Sequence, residues 1–383
     1  MADFTMAKGD KMKIVAGLLF VCVLVAVLVL GVLDQHSLKY GRRTDFTFPY
    51  DGQRLGATLL TPEGDGPFPV VVFLHGDGPV DRFANGGYVA IMNRLLERGV
   101  ACLSWDKQGV GESSGDWLAQ SMRERAGETV AGVKALRGQA GVDVGAVGVM
   151  AFSQGGWVLS ELARGQADID FMVAVGVAVN WRRQSLYLQR ERMLRQGYSK
   201  EDIATALEFS EKADRYLAQN NLSYDQYLAW LRNSAPPAGV LTEPMSPERY
   251  RFAMRNMQAD MSAGLARVNV PFLGLFGDKD RNVDFQESMR TIDSAFHSSN
   301  WRDYQLTLFP GATHSLLKAK YFDFQTPSEW TSSAEAMFLV LGPDAFVEGF
   351  LDTLGDWVVA RSKDAEKKAT NSQPGASGAQ AIQ

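Results

Sequence analysis

Short apolar runs without alternation recur along this chain, and they restrict its fold more than any other feature. The first is Val70 to Leu74, and four similar runs follow it: VACLSWD, AVGVMAF, FMVAVGVAV and PFLGLFGD. Strands that are buried on both faces have this composition, because helices cover both sides of a parallel sheet. Helical segments separate several of the runs, for example around Tyr88 to Glu97. The alternation predicts a mostly parallel, doubly wound α/β sheet.

The stretch before the first run predicts a hairpin. RTDFTFPYDGQRLGATLL contains two strand-like segments joined by Asp51-Gly52, a dipeptide typical of two-residue hairpin turns. We therefore expect an N-terminal antiparallel edge on the parallel sheet, and a final helix near Pro343 to Ala360 that covers it.

The alternation stops over residues 181–268, which are helical and amphipathic. Capping residues predict three helix starts there: Ser199, Ser223 with Gln226, and Ser246 followed by Pro247. An insertion between strands predicts a helical cap over the carboxyl ends of the strands, where such sheets bind ligands. The α/β core is then predicted to comprise residues 44–180 and 269–361.

Residues 14–33 form an uncharged apolar run, Ile14 to Leu33. As a helix it reaches about 30 Å, the thickness of a bilayer core. We predict a single transmembrane anchor after an N-terminal tail, residues 1–13. A cleaved signal peptide is an alternative, although the run is long and no A-x-A site follows. A buried core helix is a third alternative, disfavoured by the length and uniformity of the run.

Charges around the run set its predicted orientation. Three lysines precede it and three basic residues follow, so the counts are balanced: Lys8, Lys11 and Lys13 before, Lys39, Arg42 and Arg43 after. Asp34 lies directly after the run, and the lysines before the run lie closer to it than the basic residues after it. We expect a cytoplasmic tail and place the α/β core on the extracytoplasmic side. Residues 362–383 are small and polar and predict a disordered tail.

Composition excludes some classes of protein. The chain is 46% hydrophobic and 22% charged, which is ordinary for a globular protein. Its formal net charge is −5 and no basic stripe is present, so nucleic acid is not an expected partner.

Ser153 lies in AFSQGG and is the candidate nucleophile. It directly follows a predicted strand and opens a predicted helix, a sharp turn that exposes a hydroxyl above the sheet. Small flanking residues are needed there. Gly155 satisfies that need, and Ala151 adds only a methyl to the usual glycine. A helix N-cap serine is the alternative interpretation.

Two later loops supply a candidate acid and base. Asp280, in GDKDRNVD, follows one predicted strand, with Asp278 and Asp284 as rivals, and His314, in FPGATHSL, follows the next. The order serine, acid, histidine, each after a strand, predicts a catalytic triad.

HGDGP, residues 75–79, predicts the oxyanion site. Gly76 and Gly78 let backbone N–H groups turn inward, and the amides of Asp77 and Gln154 are expected to hold the developing oxyanion. His75 is expected to fix this loop by a hydrogen bond.

Together, five stretches resemble the α/β-hydrolase superfamily: DGQRLGATLLTPEGDGPFPVVVFLHGDGPVDR, LSWDKQGVGESSG, AFSQGG, FGDKDRNV and GATH. The resemblance is greatest to capped carboxylesterases of the prolyl-oligopeptidase-like and dienelactone-hydrolase-like groups. It covers Asp45 to Trp357, with the cap similar only in type. Asp77 departs from it, since such esterases usually carry a small neutral residue there. Either its carboxylate points away, toward Arg82, or activity is modest.

These features predict a membrane-anchored carboxylesterase without metal or cofactor, whose substrate is a small-molecule acyl ester. Ser153 attacks the acyl carbonyl after His314 takes its proton, and Asp280 orients the imidazole. An amidase or peptidase is an alternative that needs a docking site for a peptide amino terminus, which the sequence does not identify. An acyltransferase and a non-catalytic binding protein on this fold are further alternatives.

Overall fold

A computed structural model describes residues 19–24, 27, 30–140, 142–165 and 167–372. The predicted N-terminal tail lies outside these residues, as do parts of the predicted anchor and the end of the predicted disordered tail: 1–13, 14–18, 25–26, 28–29 and 373–383. Within the part of the chain that the structure describes, no helix has both the length and the apolar character needed to cross a membrane.

The described strands form one eight-stranded sheet with the order β1-β2-β4-β3-β5-β6-β7-β8. Their bounds are β1 Arg42–Tyr50, β2 Gln53–Thr61, β3 Phe68–Leu74, β4 Ala101–Trp105, β5 Val144–Phe152, β6 Phe171–Val175, β7 Phe272–Gly277 and β8 Tyr304–Phe309. β2 pairs antiparallel with β1 and β4, and every other pairing is parallel. The predicted doubly wound sheet with an antiparallel N-terminal hairpin is confirmed.

The hairpin turns where the sequence predicts it. Asp51 and Gly52 both have positive φ, 48° and 73°, and Tyr50 pairs with Gln53. These dihedrals match the twist of the two strands, which is why Asp-Gly is favoured in such a turn.

The apolar runs without alternation form strands that are buried on both faces of the sheet. Val70, Val72 and Leu74 of β3 pack into the core on one side of the sheet. Val71 and Phe73, between them, pack into a second core on the other side. Successive side chains of a strand point to opposite faces, so a strand with two covered faces needs apolar residues throughout.

Helices surround the sheet. In chain order they are α1 Val89–Glu97, α2 Met122–Arg137, α3 Gly155–Arg164, α4 Trp181–Arg195, α5 Lys200–Asn220, α6 Tyr224–Asn233, α7 Pro247–Asn256, α8 Ser262–Leu265, α9 Phe285–Ser298, α10 Ala319–Phe322, α11 Ser332–Leu341 and α12 Phe350–Ser372. Short 3-10 helices lie at Trp117–Ala119, Pro327–Glu329 and Gly342–Ala345.

Residues 181–268 contain α4 to α8. Ser199, Ser223 and Ser246 cap α5, α6 and α7 as predicted, each accepting a hydrogen bond from the amide three residues later. These helices bury small apolar clusters of their own, such as that of Leu217, Tyr227 and Tyr250.

The carboxyl-terminal prediction needs a correction. α12 runs to Ser372, so residues 362–372 continue the helix instead of beginning a disordered tail. Six of these eleven residues are Lys, Ala or Glu, which are good helix formers, and this allows a helix packed on the sheet to extend beyond its last contacts. Ser362 is buried and donates to the carbonyl of Val358 at 2.8 Å.

Candidate active site

Ser153 lies in a sharp turn between β5 and α3. Its φ of +50° is unusual for a residue with a side chain and fits a strained strand-to-helix turn. A Cβ at Gly155 would lie 3.0 Å from the carbonyl oxygen of Leu74, so that position needs glycine. The N-cap interpretation of Ser153 is wrong, because Gln154 occupies the N-cap and no side chain caps α3.

Asp280 and His314 form a direct hydrogen bond. His314 Nδ1 lies 2.8 Å from Asp280 Oδ2, and the Asp280 side chain is fully buried. The other oxygen, Oδ1, accepts the amides of Asn282 and Val283 at 2.7 and 2.9 Å. The carboxylate is therefore held in one orientation, which fixes the tautomer and the plane of the imidazole.

The charge of Asp280 also sets the basicity of His314. Burial by itself lowers the pKa of His314, but the negative charge and the hydrogen bond of Asp280 outweigh it, so the pKa lies above its ordinary value. An imidazole in this setting is a competent proton acceptor near neutral pH.

The two rival aspartates have other contacts. Asp278 Oδ1 accepts the amide of Gly311 at 2.6 Å. Asp284 caps α9 by accepting the amide of Glu287 at 2.9 Å. Of the three aspartates in this loop, Asp280 is the one in contact with His314.

Ser153 and His314 line the same cavity. Gly176, directly after β6, permits this approach: its φ is +55°, and a Cβ there would lie 3.0 Å from the carbonyl oxygen of His314 and 3.2 Å from its Nδ1. Sequence analysis missed Gly176. A glycine immediately after a buried strand was the available signal.

The HGDGP loop passes beside the serine. A Cβ at Gly76 would lie 3.3 Å from Ser153 Cβ and 3.9 Å from its Oγ, so glycine is needed for the approach. Gly78 has a φ of +92°. Gln154 Nε2 donates to Asp77 Oδ1 at 3.0 Å, so a side-chain contact links the two residues whose amides were predicted to bind an oxyanion.

The partner of Asp77 differs from the prediction. Arg249 of α7 forms a two-pronged ion pair with its carboxylate, with N–O distances of 2.8 and 2.6 Å. Arg82 instead pairs with Asp106 and Glu112, at 2.5 and 2.8 Å. The arginine that neutralises Asp77 therefore comes from the cap, and the pKa of Asp77 is lowered because this pairing outweighs its partial burial.

Two buried basic side chains hold the HGDGP loop through its carbonyl oxygens, and sequence analysis missed both. Lys107 donates to the carbonyls of Gly76 and Gly78, at 3.1 and 2.8 Å. Arg125 donates to the carbonyl of His75 at 2.6 Å and to Gln154 Oε1 at 3.0 Å. Burial lowers the pKa of Lys107 well below its ordinary value. Charged side chains inside predicted helices and loops gave no signal of these contacts.

His75 is buried and structural, as expected. Its Nε2 donates to the carbonyl of Trp105 at 2.6 Å, and its Nδ1 lies 3.1 Å from the hydroxyl of Tyr88. Burial lowers the pKa of His75 to about 3. The ring is therefore neutral at ordinary pH and fixes the start of the loop.

The cavity has a volume of about 1330 Å³ and is bounded by the core and the cap. Its walls are mainly apolar, with Phe209, Leu217 and Trp230 from the cap and Phe338 from α11. Among the described residues, no group of His, Cys, Asp and Glu side chains is arranged to hold a metal ion.

Several solved structures share this architecture. An esterase from Pyrococcus furiosus is 15% identical, with a TM-score of 0.51, covering 85% of this chain and 91% of the other. A proline iminopeptidase from Mycobacterium smegmatis is 20% identical, with a TM-score of 0.50, covering 84% of this chain and 100% of the other. At these identities the likeness shows the fold, an α/β-hydrolase fold. Comparison with curated proteins gives no match.

A family model also matches the sequence, and the match includes the candidate residues. It extends over residues 51–314, more than half of the chain, from the hairpin turn to the histidine of the His–Asp pair. This α/β-hydrolase therefore belongs to the X-Pro dipeptidyl-peptidase (S15) family of hydrolases.

Proposed function

We propose that this hydrolase is a membrane-anchored serine carboxylesterase that uses Ser153, His314 and Asp280. The observation that carries the proposal is the 2.8 Å hydrogen bond between His314 and Asp280 at a cavity that Ser153 also lines. The serine stands in a turn of positive φ, the histidine has a raised pKa, and the acid is fully buried.

The reaction follows from these positions. His314 accepts the proton of Ser153 as its oxygen attacks the acyl carbonyl, and Asp280 stabilises the resulting imidazolium. The amides of Asp77 and Gln154, which donate to no other described residue, supply hydrogen bonds to the oxyanion. His314 then protonates the leaving alcohol, and water releases the acid in a second attack of the same kind.

The apolar cavity supports an ester with a sizeable acyl group. Aromatic and aliphatic side chains dominate its walls, and its volume exceeds that of a typical drug-sized pocket. A carboxylic acyl chain needs such a surface and no charged partner.

A peptidase is the second candidate, and two observations favour it. The chain belongs to a peptidase family. In addition, Asp214 of α5 lines the cavity without a hydrogen bond to another described residue, and burial raises its pKa to about 6. A carboxylate in this position offers the docking site for a peptide amino terminus that the sequence did not identify.

Anchoring and orientation are part of the proposal. The run Ile14 to Leu33 supports a single span, and its described leucines, Leu19, Leu24, Leu30 and Leu33, are 46–68% exposed. We place the catalytic domain on the extracytoplasmic side. Protease treatment of intact cells tests this: the domain should be cleaved without lysis, and protection until lysis would reverse the orientation.

The enzymatic test compares the wild-type chain with Ser153→Ala. The wild type should react with a fluorophosphonate probe and hydrolyse activated acyl esters, whereas Ser153→Ala should lose both while its circular dichroism stays unchanged. More than about one-hundredth of the wild-type rate in the variant would refute the nucleophile, since loss of a triad member costs far more.

Side-by-side rates on acyl esters and on X-Pro anilides then separate esterase from peptidase. Preference for the anilide, lost in Asp214→Asn, would favour the peptidase. Preference for the ester, unaffected by that substitution, would favour the carboxylesterase.

A further inference from the structure

α11, Ser332–Leu341, exposes an unusual amount of apolar surface. Met337, Leu339 and Val340 are 37%, 49% and 61% exposed, and only Ala334 of this helix is buried. Helices of soluble proteins normally turn such side chains toward a core. We call Met337, Leu339 and Val340 the α11 apolar surface.

This surface adjoins the end of the N-terminal apolar run. His36 Nε2 lies 2.9 Å from the carbonyl oxygen of Leu339, and the His36 ring is 5.7 Å from the ring of Phe338. Residues 30–35 are helical, and Leu30 and Leu33 among them are 64% and 59% exposed. Two exposed apolar segments therefore meet at one place on the molecule.

The attachment between the run and the core is fixed. The buried side chain of Asn93 accepts the amide of Lys39 at 2.8 Å and donates to the carbonyl of Ser37 at 2.9 Å. Since residues 36–39 are held against the core, the run leaves the molecule at a set position beside α11.

From this juxtaposition we infer that the α11 apolar surface docks on a lipid bilayer. The inference rests on the proposed membrane anchor: a run that spans the bilayer holds its fixed attachment point, and the helix in contact with that point, at the membrane surface. Moving exposed aliphatic side chains from water into the region between headgroups and acyl chains lowers the free energy of the system.

The docked helix also forms part of the cavity wall. Glu335 and Phe338 of α11, and Trp330 just before it, line the cavity that contains Ser153. A substrate that resides in the bilayer therefore meets the cavity without crossing bulk water. The substrate class that fits is an amphipathic ester with a long acyl chain. This substrate class rests on the proposed esterase function and makes it more specific.

The activity test uses the full chain reconstituted in phosphatidylcholine vesicles. Leu339→Glu/Val340→Glu is compared with Val130→Glu/Leu308→Glu, which places two charges on residues that are 48% and 38% exposed. The neighbours of Val130 and Leu308, such as Val133 and Leu306, pack into the core on one side of the sheet, whereas Ala334 of α11 packs into the core on the other side. None of the four substituted residues lines the active-site cavity. Two substrates are used: a water-soluble butyrate ester and a long-chain ester embedded in the same vesicles.

We expect the α11 variant to hydrolyse the embedded ester at least about 10-fold more slowly and the soluble ester within about twofold of the wild type. The control variant should retain both rates. An unchanged rate on the embedded ester, or an equal loss in the control, would overturn the inference. A wild-type chain that does not hydrolyse the soluble ester would instead count against the proposed esterase.

A second measurement does not depend on catalysis. Met337→Cys, in a Cys22→Ser background and labelled with an environment-sensitive fluorophore, should be quenched by spin-labelled lipids. Val130→Cys, labelled in the same way, should not be quenched. Equal quenching at the two positions would overturn docking whatever the activity.

Discussion

The ion pair between Arg249 and Asp77 connects the cap to the oxyanion site, and Arg249→Met tests what it does. The substitution keeps the bulk of the side chain and removes its charge. Asp77 then keeps the hydrogen bond from Gln154 but loses both N–O contacts of the arginine. An unpaired carboxylate is left beside the amides that should stabilise the oxyanion.

The size of the effect follows from exposure and charge. The Asp77 side chain is 44% exposed and that of Arg249 is 33% exposed, so solvent screens them considerably. With an effective dielectric of about 20–40, a carboxylate about 6 Å from the oxyanion opposes it by about 1.5–3 kcal/mol. We expect kcat to fall about 10- to 100-fold. KM should change little, because the negative charge develops only in the transition state.

Steady-state kinetics on a soluble acyl ester measure the effect, with three further variants. Arg249→Lys should recover much of the loss by restoring the charge. Asp77→Asn should be active by itself and should relieve Arg249→Met in the double variant, because it removes the charge that opposes the oxyanion. Arg251→Met, on the same helix, is the matched control, since Arg251 pairs with Glu248 at 3.0 Å and not with the loop.

The electrostatic explanation fails on either of two outcomes. One is a wild-type kcat in Arg249→Met. The other is a double variant as slow as Arg249→Met, which would mean that the arginine acts through packing against Phe252 and Trp117 and not through charge.

Three further predictions concern the acid, the base and the anchor. Asp280→Asn should lower kcat by orders of magnitude by favouring the wrong imidazole tautomer, while Asp278→Asn should do much less; greater sensitivity at Asp278 in the same kinetics would contradict the assignment. Because the base must be neutral and the charge of Asp280 raises the pKa of His314, kcat/KM should rise with pH through an apparent pKa above about 6.5. This rise of kcat/KM should move to lower pH in Asp280→Asn. A pH–rate profile in which the rise stays at the same pH would exclude His314 as the titrating base. Deleting residues through Leu33 should give a soluble, active enzyme, whereas the full chain should sediment with membranes and resist salt extraction; a folded but inactive truncated chain would show that the run does more than anchor.

The sequence determined the features that depend on near neighbours. The apolar runs predict strands covered on both faces because burial on two sides removes the period of two. Asp51-Gly52 predicts the hairpin because its backbone preference matches the twist of the strands. The three serines predict helix starts because a cap bonds to an amide three residues away. The order of Ser153, Asp280 and His314 could be read because each follows a strand, and parallel strands end at one edge of the sheet.

Only the tertiary structure decided which side chains meet across longer distances. Arg249 and Asp77 are 172 residues apart, and no local pattern states how a cap helix lies over a loop. The sequence left three aspartates as candidates, and contacts distinguished them because direction and burial depend on the folded loop. The hydrogen bonds of Asn93 likewise hold Ser37 and Lys39 against the core, and no local pattern predicts them because these partners lie more than fifty residues away in the chain. Periodicity and capping are short-range, whereas the pairing of charges and the seating of one helix on another arise only when the whole chain has packed.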